Sequence, residues 1–511
     1  MTSEATDRIA VVGTGLAGLS AAERLRELGW RGEITMIGEE PHRPYNRTPL
    51  SKQLPTGDRR PPDLALTTHT DLDASWRPGT RALGLDTERR ELLLPGGEQL
   101  PFDGLIIASG VEARHLPGTP LHSERVWMLR TLADAHNIDA ALAKARHVAV
   151  IGGGFIGCEI ACTARTRAVE VTIIDAGPTL LHRALGPALG AVVGDLHRDN
   201  GVRLHLGVGV RGWEENKHGV TVVLDDGEQV RADAAVVGVG TVPRTDWLWH
   251  TGLDLTDGVL CAPTTHVLDS GGYAIDGIVA AGDIARWPNL RFDDVPRRVE
   301  HWINAIEMGR HAAEALFAGP GNSAPFAPVP RFWSHQHGVR IQSVGMPALG
   351  TDLTTLDGDP AGRRTVAGYT RPGPDGTPLL VGAVALDSPR TLLAYRDRIG
   401  HPLAAYPDGA GQPEAAARRA NRRGENLAVT RCCHPQGCGD SRDRITDHVR
   451  LRDQGPHHGR RRLPTVRDHS PCPGRPLSAR LTITSGDSER TVTEATSDAD
   501  GHFCIPLPPG T

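Results

Sequence analysis

The sequence predicts an α/β protein with two Rossmann-like domains, then a smaller α+β domain and a C-terminal tail of different character. A strand, a glycine-rich turn and a helix follow one another twice, near residues 8–40 and 147–175. A unit of this kind is typical of doubly wound parallel sheets that bind dinucleotides. The stretch 331–397 supplies the third observation, because it is rich in strand-like alternation and ends in a short helical pattern.

The first unit begins with the apolar run RIAVVG, which is typical of a buried parallel strand. Gly13, Gly15 and Gly18 form the turn, a helical pattern follows, and the next strand ends at Glu39. Glycines at these positions allow the backbone to approach a pyrophosphate at a helix N-terminus. Glu39 follows Gly18 by 21 residues, which is near the spacing of a ribose-binding carboxylate.

The second unit repeats this order with Gly152, Gly154 and Gly157, and its next strand ends at Asp175, 18 residues after Gly157. One glycine motif is weak evidence, because a glycine-rich turn can bind nothing, but two complete copies predict two nucleotide sites. Asp175 favours NADH over NADPH, since its carboxylate would repel a 2′-phosphate. Arg183 could relax that preference, although we prefer to interpret it as a solvated helix residue.

Composition narrows the class of protein. The 511 residues carry a formal net charge of −5, which argues against nucleic acid or an anionic membrane as the main partner. The N-terminus lacks the pattern of a signal peptide, and no segment approaches the roughly 20 apolar residues that span a bilayer. We therefore expect a cytoplasmic protein. Eight cysteines form no secreted disulfide framework, and we predict no metal site.

Several stretches of the sequence match one protein family, and together they are much more specific than a single glycine motif. The stretches are VVGTGLAGLSAAERLR, RPYNRTPLSK, LIIASG, LRTLADA, VAVIGGGFIGCEIA, VVGVGTVPRT, IVAAGDIARW, RRVEHWINAIEMGRHAA and RFWSHQHGVRIQSVG. With these stretches, in the family's order and over residues 8–400, the chain resembles the ferredoxin reductase branch of the FAD-dependent pyridine-nucleotide–disulfide oxidoreductase superfamily. The resemblance implies a bound FAD and NADH as the substrate that reduces it.

The resemblance also implies individual roles. Arg47 and Arg130 would reach the FAD phosphates, Ala82 the adenine end, and Asp283 the ribityl chain or a phosphate. Trp302 would pack near the isoalloxazine, and Gly240 would let the dinucleotide pass close to the backbone. The residues implied for FAD are Gly13, Gly15, Gly18, Glu39, Arg47, Lys52, Ala82, Arg130, Asp283 and Trp302. Those implied for NADH are Gly152, Gly154, Gly157, Glu159, Asp175 and Gly240.

Lys52 and Glu159 are the residues implied for catalysis. A cation beside flavin N5 stabilises the charge of reduced flavin, and a carboxylate near the nicotinamide favours its cationic, oxidised ring. Spacing alone leaves simpler interpretations open: a solvated surface lysine, and a first-turn acid that interacts with the helix dipole. The resemblance favours the catalytic interpretation of both residues.

The resemblance implies an NADH-dependent reductase that passes electrons to a 2Fe–2S ferredoxin serving a cytochrome P450 or a ring-hydroxylating dioxygenase. No cysteine precedes Cys158, so the thiol pair of the disulfide reductases is missing. Cys158 and Cys162 could be redox-active, but two buried small residues are the interpretation we prefer. The alternatives are a rubredoxin reductase or an NADH oxidase on the same scaffold, or a flavin-bearing redox-signalling protein.

Three further expectations concern the partner, the domains and departures from the family pattern. Trp302, Trp333 and nearby arginines could form the face that meets an acidic ferredoxin, in a monomer or a homodimer. These arginines are Arg297, Arg298, Arg310, Arg331 and Arg340.

Two residues depart from the family pattern: Ala168 stands where the family has a frequent glycine, and His335 where it has an aspartate. The expected domains are FAD-binding (1–115 and 246–322), NAD-binding (116–245), interface (323–408), a disordered basic tail (409–474) and a partial β-sandwich-like segment (475–511).

Overall fold

The computed structural model describes residues 8–52, 64–68, 71–120 and 122–403, and three further strands within 446–496. The chain divides into two units, Met1–Asp408 and Gly409–Thr511. The helices of the described residues are α1 (Leu16–Glu27), α2 (Pro49–Lys52), α3 (Leu132–Leu142), α4 (Phe155–Thr166), α5 (His182–Asp199), α6 (Trp302–Ala318) and α7 (Pro389–Leu393).

The strands follow in chain order. The first sixteen are β1 (Arg8–Val12), β2 (Glu33–Gly38), β3 (Ser75–Pro78), β4 (Gly84–Asp86), β5 (Glu91–Leu93), β6 (Gln99–Pro101), β7 (Gly104–Ile107), β8 (Val111–Ala113), β9 (Val126–Met128), β10 (His147–Ile151), β11 (Glu170–Asp175), β12 (Val202–Leu206), β13 (Val210–Asn216), β14 (Gly219–Leu224), β15 (Gln229–Ala232) and β16 (Ala234–Val237). The next eleven are β17 (Thr241–Pro243), β18 (Val259–Leu260), β19 (His266–Leu268), β20 (Ala274–Ala280), β21 (Ala285–Pro288), β22 (Pro296–Arg297), β23 (Arg331–Gln336), β24 (Val339–Gly345), β25 (Asp352–Asp359), β26 (Arg364–Pro372) and β27 (Pro378–Leu386).

The first large sheet has the strand order β19-β20-β7-β1-β2-β3, and its strands are parallel except for β19. All four residues of β7 are buried, as expected for a parallel strand covered on both faces. Helices α1 and α6 pack closely together, since a Cβ on Gly309 would lie only 2.2 Å from the carbonyl oxygen of Ala17. This close contact places the middle of α6 beside the start of α1, directly after the first glycine-rich turn.

The second large sheet has the order β12-β11-β10-β16-β9, with every neighbouring pair parallel. The antiparallel strands β13, β14 and β15 form a separate small sheet. Each glycine-rich turn thus leaves the carboxyl end of a central parallel strand, β1 or β10, where open α/β sheets bind ligands.

The third large sheet is antiparallel, with the order β23-β24-β27-β26-β25. These three sheets confirm the predicted α/β fold class with a C-terminal α+β region. Each sheet takes its strands from one of the expected residue ranges, and the domain boundaries themselves stay a prediction. No helix among the described residues is long and apolar enough to cross a lipid bilayer.

The second unit contributes three strands, β28 (Thr446–Arg452), β29 (Ser478–Ser485) and β30 (Ser488–Thr496). Strand β29 pairs with β28 in parallel and with β30 in antiparallel orientation. Strand β28 lies inside the range 409–474, for which the sequence predicts disorder. The rest of that range, and the end of the predicted β-sandwich-like segment, lie outside the described residues.

Candidate active site between the two glycine-rich turns

The first glycine of each turn has a backbone conformation that excludes other residues. Gly13 has φ +110°, and a Cβ there would lie 2.1 Å from the carbonyl oxygen of Ala108. Gly152 has φ +107°, and a Cβ there would lie 2.3 Å from the carbonyl oxygen of Gly238. The two turns therefore share one construction, in which the chain leaves the sheet sharply and passes close to the neighbouring strand.

The middle glycines lie at the N-termini of the following helices. Gly15 precedes α1, and a Cβ on it would meet no atom within 4 Å. Gly154 precedes α4, and its nearest such neighbour is a single carbonyl oxygen at 3.9 Å. A helix N-terminus with free N–H groups and open space before it is suited to a phosphate. Both turns therefore fit the pyrophosphate of a dinucleotide.

A cleft with a cavity volume of about 760 Å³ connects the two turns. It is lined by most of the residues that the sequence implies for FAD, namely Gly13, Gly15, Glu39, Arg47, Lys52, Ala82, Arg130, Asp283 and Trp302. Three of the residues implied for NADH also line it: Gly154, Glu159 and Gly240. The other four implied residues lie outside the lining: Gly18 in α1, Gly157 in α4, Gly152 in the second turn and Asp175 at the end of β11.

The carboxylate of Glu159 lies at the centre of the cleft and is 3% exposed as a residue. The Lys52 ammonium lies 2.9 Å from each of its oxygens. The hydroxyl of Ser51 donates to Oε2, and the hydroxyl of Ser334 donates to Oε1. A buried carboxylate requires such partners, because an unpaired charge would be strongly destabilising. The interaction joins α2, α4 and β23, so all three regions of the chain contribute to it.

Aromatic side chains close one side of the cleft. The Trp302 and Trp333 rings lie 5.9 Å apart in an edge-to-face arrangement. His301 lies against Phe332 with ring centroids 5.3 Å apart, and its Nδ1 is buried without a hydrogen-bond partner. Burial lowers the pKa of His301 to about 4, so the ring is neutral at neutral pH. A flat apolar ring system with polar edges fits against such a wall.

Charged residues lie at the opposite end of the cleft. Glu39 forms ion pairs with Arg81 and Arg244, and Glu40 forms one with Arg47. The Arg47 guanidinium also donates to the carbonyl oxygen of Arg130 at 2.8 Å. Arginines and a carboxylate in this position match the phosphates and the ribose of a dinucleotide.

Arg130 and Asp283 form an ion pair deeper in the cleft, with Nη2 and Oδ2 separated by 3.4 Å. Burial raises the pKa of the Asp283 carboxyl and lowers the pKa of the Arg130 guanidinium. The distance is long for an ion pair, so both groups retain capacity for a ligand.

Asp175 lies below the second turn. Its carboxylate accepts hydrogen bonds from the backbone N–H of Gly153 at 2.5 Å and of Gly177 at 2.6 Å. Each oxygen retains a further lone pair for a ribose hydroxyl. Arg183 is exposed on α5, as its interpretation as a solvated helix residue predicts, and it also lines the cleft.

Comparison with known proteins decides the family. Residues 7–309 match the model of the pyridine nucleotide-disulphide oxidoreductase family. The chain belongs to this family. The ferredoxin–NAD(+) reductase component of the p-cumate 2,3-dioxygenase system of Pseudomonas putida is 33% identical over 356 residues, which cover 69% of this chain and 85% of that protein.

Two solved structures place the chain in the ferredoxin reductase branch of the pyridine nucleotide-disulphide oxidoreductase family. The ferredoxin reductase for the CYP199A2 system from Rhodopseudomonas palustris has a TM-score of 0.72 and 29% identity, covering 81% of this chain and 99% of that one. The reductase in the covalent putidaredoxin reductase–putidaredoxin complex has a TM-score of 0.70 and 27% identity, covering 82% of this chain and 100% of that one. The family and branch predicted from the sequence are thereby confirmed.

Sequence reasoning missed several residues that contact the charged groups of the cleft. Residue type and spacing gave no signal for Ser51 and Ser334, because serines of this kind are frequent on any surface. Both serines and Arg244 lie in stretches that match the family, namely RPYNRTPLSK, RFWSHQHG and VVGVGTVPRT, so only the resemblance could have drawn attention to them. The pairing of Arg81 with Glu39 joins residues that are 42 positions apart, which a single sequence cannot reveal.

The arginines expected to form a basic partner face are largely paired with acids in this family member. Arg297 pairs with Asp293, Arg298 with Asp257 and Glu300, Arg310 with Glu27, and Arg331 with Glu307. Their charge is partly compensated, so a positive face formed by these arginines is weaker than their number suggests.

Cys158 and Cys162 lie away from the cleft lining. Cys158 is fully buried, and burial raises the pKa of its thiol well above the usual range. Burial also raises the pKa of the Cys162 thiol to about 12. Both are reduced in the structure, and neither has the thiolate character of a redox-active cysteine.

Proposed function

We propose that this family member is an FAD-dependent NADH:ferredoxin reductase that supplies electrons to an oxygenase through a 2Fe–2S ferredoxin. The observation that carries the proposal is the Lys52–Glu159 ion pair, which lies between the two glycine-rich turns in one continuous cleft. None of the described residues that line this cleft is a cysteine, so electrons that reach a flavin there have no neighbouring thiol to reduce. The names of the relatives, reductase components of oxygenase systems, support the same proposal.

When bound, FAD would supply the group that accepts a hydride from NADH and releases electrons singly. Gly13, Gly15 and the N-terminus of α1 would hold its pyrophosphate, with Gly18 supporting the turn from the helix. Glu39 would bind the adenosine ribose, and Arg47, Arg130 and Asp283 the phosphates and the ribityl chain. Ala82 would contact the adenine end.

The second turn would receive NADH. Gly152, Gly154 and Gly157 would hold the pyrophosphate at the N-terminus of α4, and Asp175 the ribose hydroxyls. Gly240 lines the cleft with φ +106°, so the dinucleotide can pass close to the backbone there. A 2′-phosphate beside Asp175 would be repelled, which is why we propose NADH rather than NADPH as the reductant.

Lys52 and Glu159 would act on the reacting rings. Lys52 would place a positive charge beside the reacting rings, where it would stabilise negative charge that develops during hydride transfer. Glu159 holds Lys52 in position and favours the cationic form of the nicotinamide ring. Trp302 and Trp333 cover the same region and exclude water from it.

The test measures two steps separately: the reduction of the flavin by NADH, and the transfer of electrons from the flavin to a ferredoxin. In an anaerobic stopped-flow experiment, NADH should bleach the visible absorbance of the FAD-loaded protein within one turnover. Steady-state reduction of cytochrome c should then increase at least about tenfold when a 2Fe–2S ferredoxin is added. A stimulation by rubredoxin alone, rapid turnover with oxygen alone, or a long-lived charge-transfer complex without stimulation would each overturn the proposal. These outcomes correspond to a rubredoxin reductase, an NADH oxidase and a redox-signalling protein.

A cytoplasmic location and the choice between monomer and homodimer stay predictions from the sequence.

A further inference from the structure

Three possible metal ligands meet behind the cleft, on three different elements. They are Cys162 on α4, His197 on α5 and His337 in the turn between β23 and β24. Their sulfur and nitrogen ligand atoms all lie within 4.8 Å of one another. A cysteine and two histidines are the side chains that zinc-class metals prefer, and here they come together although they are far apart in the sequence.

Hydrogen bonds fix how the His197 ring is protonated. Gln336 Nε2 donates to the Ser334 hydroxyl at 3.1 Å, so its Oε1 faces His197 and accepts from Nε2–H, also at 3.1 Å. With the proton on Nε2, Nδ1 carries the lone pair. Nδ1 lies 3.1 Å from His337 Nε2, on the side of the ring that faces the cluster. A histidine whose second nitrogen donates to an amide or carboxylate oxygen is the usual arrangement of a metal ligand.

The cluster reaches from the protein interior towards the surface. His197 is 0% exposed, and its ring lies 4.5 Å from that of His337 in an edge-to-face arrangement. Cys162 and His337 are partly exposed, so an ion can reach the cluster from solvent.

We propose that Cys162 Sγ, His197 Nδ1 and His337 Nε2 bind a divalent transition metal of the zinc class. Two nitrogens that bind one tetrahedral zinc are separated by about 3.3 Å, given bond lengths of about 2.0–2.1 Å. The separation of 3.1 Å between His197 Nδ1 and His337 Nε2 is close to this value. Binding replaces their mutual hydrogen bond with two metal bonds, and the proton that His337 Nε2 donated in that bond moves through solvent to Nδ1 of the same ring. The Cys162 thiol releases its proton to solvent, and the fourth position takes a water molecule. No oxidant or reductant is involved.

Because the three ligands lie on different elements, a bound metal would connect these elements to one another. The turn that contains His337 continues from strand β23, whose Ser334 hydroxyl donates to Glu159. A metal at the cluster would fasten this strand to α4 and α5, and Gln336 connects the two sites directly. The inference is independent of the proposed electron acceptor, because metal binding is measured without turnover.

Cobalt is the probe, because tetrahedral Co²⁺ with a thiolate ligand has strong d–d bands at long wavelengths where oxidised flavin does not absorb. The chelator-treated, FAD-loaded full-length protein should develop these bands with one Co²⁺ per chain. The variants are Cys162→Ala and His337→Asn; asparagine tolerates the left-handed backbone of this position, where φ is +47°. Each should weaken Co²⁺ binding at least about tenfold, since even the loss of a residue that only supports a metal ligand typically costs this much.

Cys158→Ala is the matched control, since Cys158 lies on the same helix one turn earlier and outside the cluster. It should bind Co²⁺ like the unchanged protein. Residues after 408 contain further cysteines and histidines, but all variants share them. Only the differences in Co²⁺ binding between variants therefore report on the cluster.

As a second measurement, Zn²⁺ should raise the melting temperature of the unchanged protein and of Cys158→Ala, but not of Cys162→Ala. Equal d–d bands in all proteins, or no bands in any, would overturn the proposal.

Discussion

The Lys52 ammonium and the Glu159 carboxylate lie 2.9 Å apart, although they are 107 positions apart in the chain. Helix α2 supplies the lysine from the first region, and α4 supplies the glutamate directly after the second glycine-rich turn. The pair thus marks the place where the ligands of the two turns would meet. Because Glu159 is buried and Lys52 half-buried, the interaction is protected from the screening that weakens surface ion pairs.

Replacing Lys52 by methionine should slow flavin reduction by NADH by about 10- to 100-fold, because the variant retains the length of the side chain but loses the charge. Single-turnover stopped-flow absorbance at saturating NADH measures this step. Lys144→Met is the control, since Lys144 is an exposed lysine at the end of α3, and it should leave the rate unchanged. An unchanged rate in Lys52→Met would remove Lys52 from the reaction.

Replacing Ser334 by alanine should slow the same step several-fold, because Glu159 loses one of its two hydroxyl donors, typically about 1 kcal/mol of positioning. The control is Ser343→Ala on the neighbouring strand β24. Ser343 is 2% exposed and its hydroxyl has no hydrogen-bond partner, so its loss should change neither rate nor stability appreciably. A merely structural role of Ser334 would lower the melting temperature while leaving the pH dependence of flavin reduction as it is.

Replacing Asp175 by asparagine should decrease kcat/KM for NADH and increase it for NADPH, shifting their ratio by about tenfold or more. Asparagine keeps one acceptor for the backbone N–H groups of Gly153 and Gly177 but removes the charge that opposes a 2′-phosphate. Steady-state kinetics with both coenzymes gives the ratio. Asp195→Asn, an exposed carboxylate on α5, is the matched control. An unaltered ratio would mean that another residue, with Arg183 the first to examine, selects the coenzyme.

Replacing Ala168 by glycine should stabilise the protein by about 1 kcal/mol, because Ala168 has φ +59° and glycine adopts this conformation without strain. Thermal unfolding followed by circular dichroism detects the change. Ala143→Gly provides the comparison: Ala143 follows α3 with φ −64°, so glycine there should destabilise by about 0.5–1 kcal/mol. The prediction fails if both glycines lower the melting temperature.

Replacing Asp293 by asparagine should destabilise the protein by about 1 kcal/mol at neutral pH, where solvent screening limits the effect. Arg297 and Arg371 lower the pKa of Asp293 from 3.8 to about 2, and Arg371 belongs to β26 of the C-terminal sheet. A carboxyl whose pKa is lowered by folding stabilises above its unfolded pKa, and this stability is lost as pH falls from about 4 through about 2. The difference between unchanged and variant protein should therefore vanish in that window. Asp294→Asn, its exposed neighbour, should show no such difference at any pH.

Much of the architecture could be predicted from the sequence because its signals are local. The strand, turn and helix of each nucleotide-binding unit adjoin one another, and glycines at fixed spacing mark both turns. The pairing of Lys52 with Glu159 came from the family resemblance, since local spacing could not distinguish it from two unrelated surface residues. Ser334 and the cluster of Cys162, His197 and His337 depend on how the C-terminal sheet packs, and no local pattern encodes that packing. The prediction that the chain has no metal site is accordingly the one that our proposal revises.

Strand β23 supplies both Trp333 to the wall of the cleft and Ser334 to the buried carboxylate. The C-terminal sheet therefore contributes side chains to the cleft itself, in addition to any surface that it offers to a partner protein. Grafting it from a relative with different side chains on this strand would alter the surroundings of the Lys52–Glu159 pair, where we propose that the rings react, together with the choice of acceptor. Evolution of a new acceptor preference in such a reductase is thus constrained by the chemistry of the step that precedes electron release.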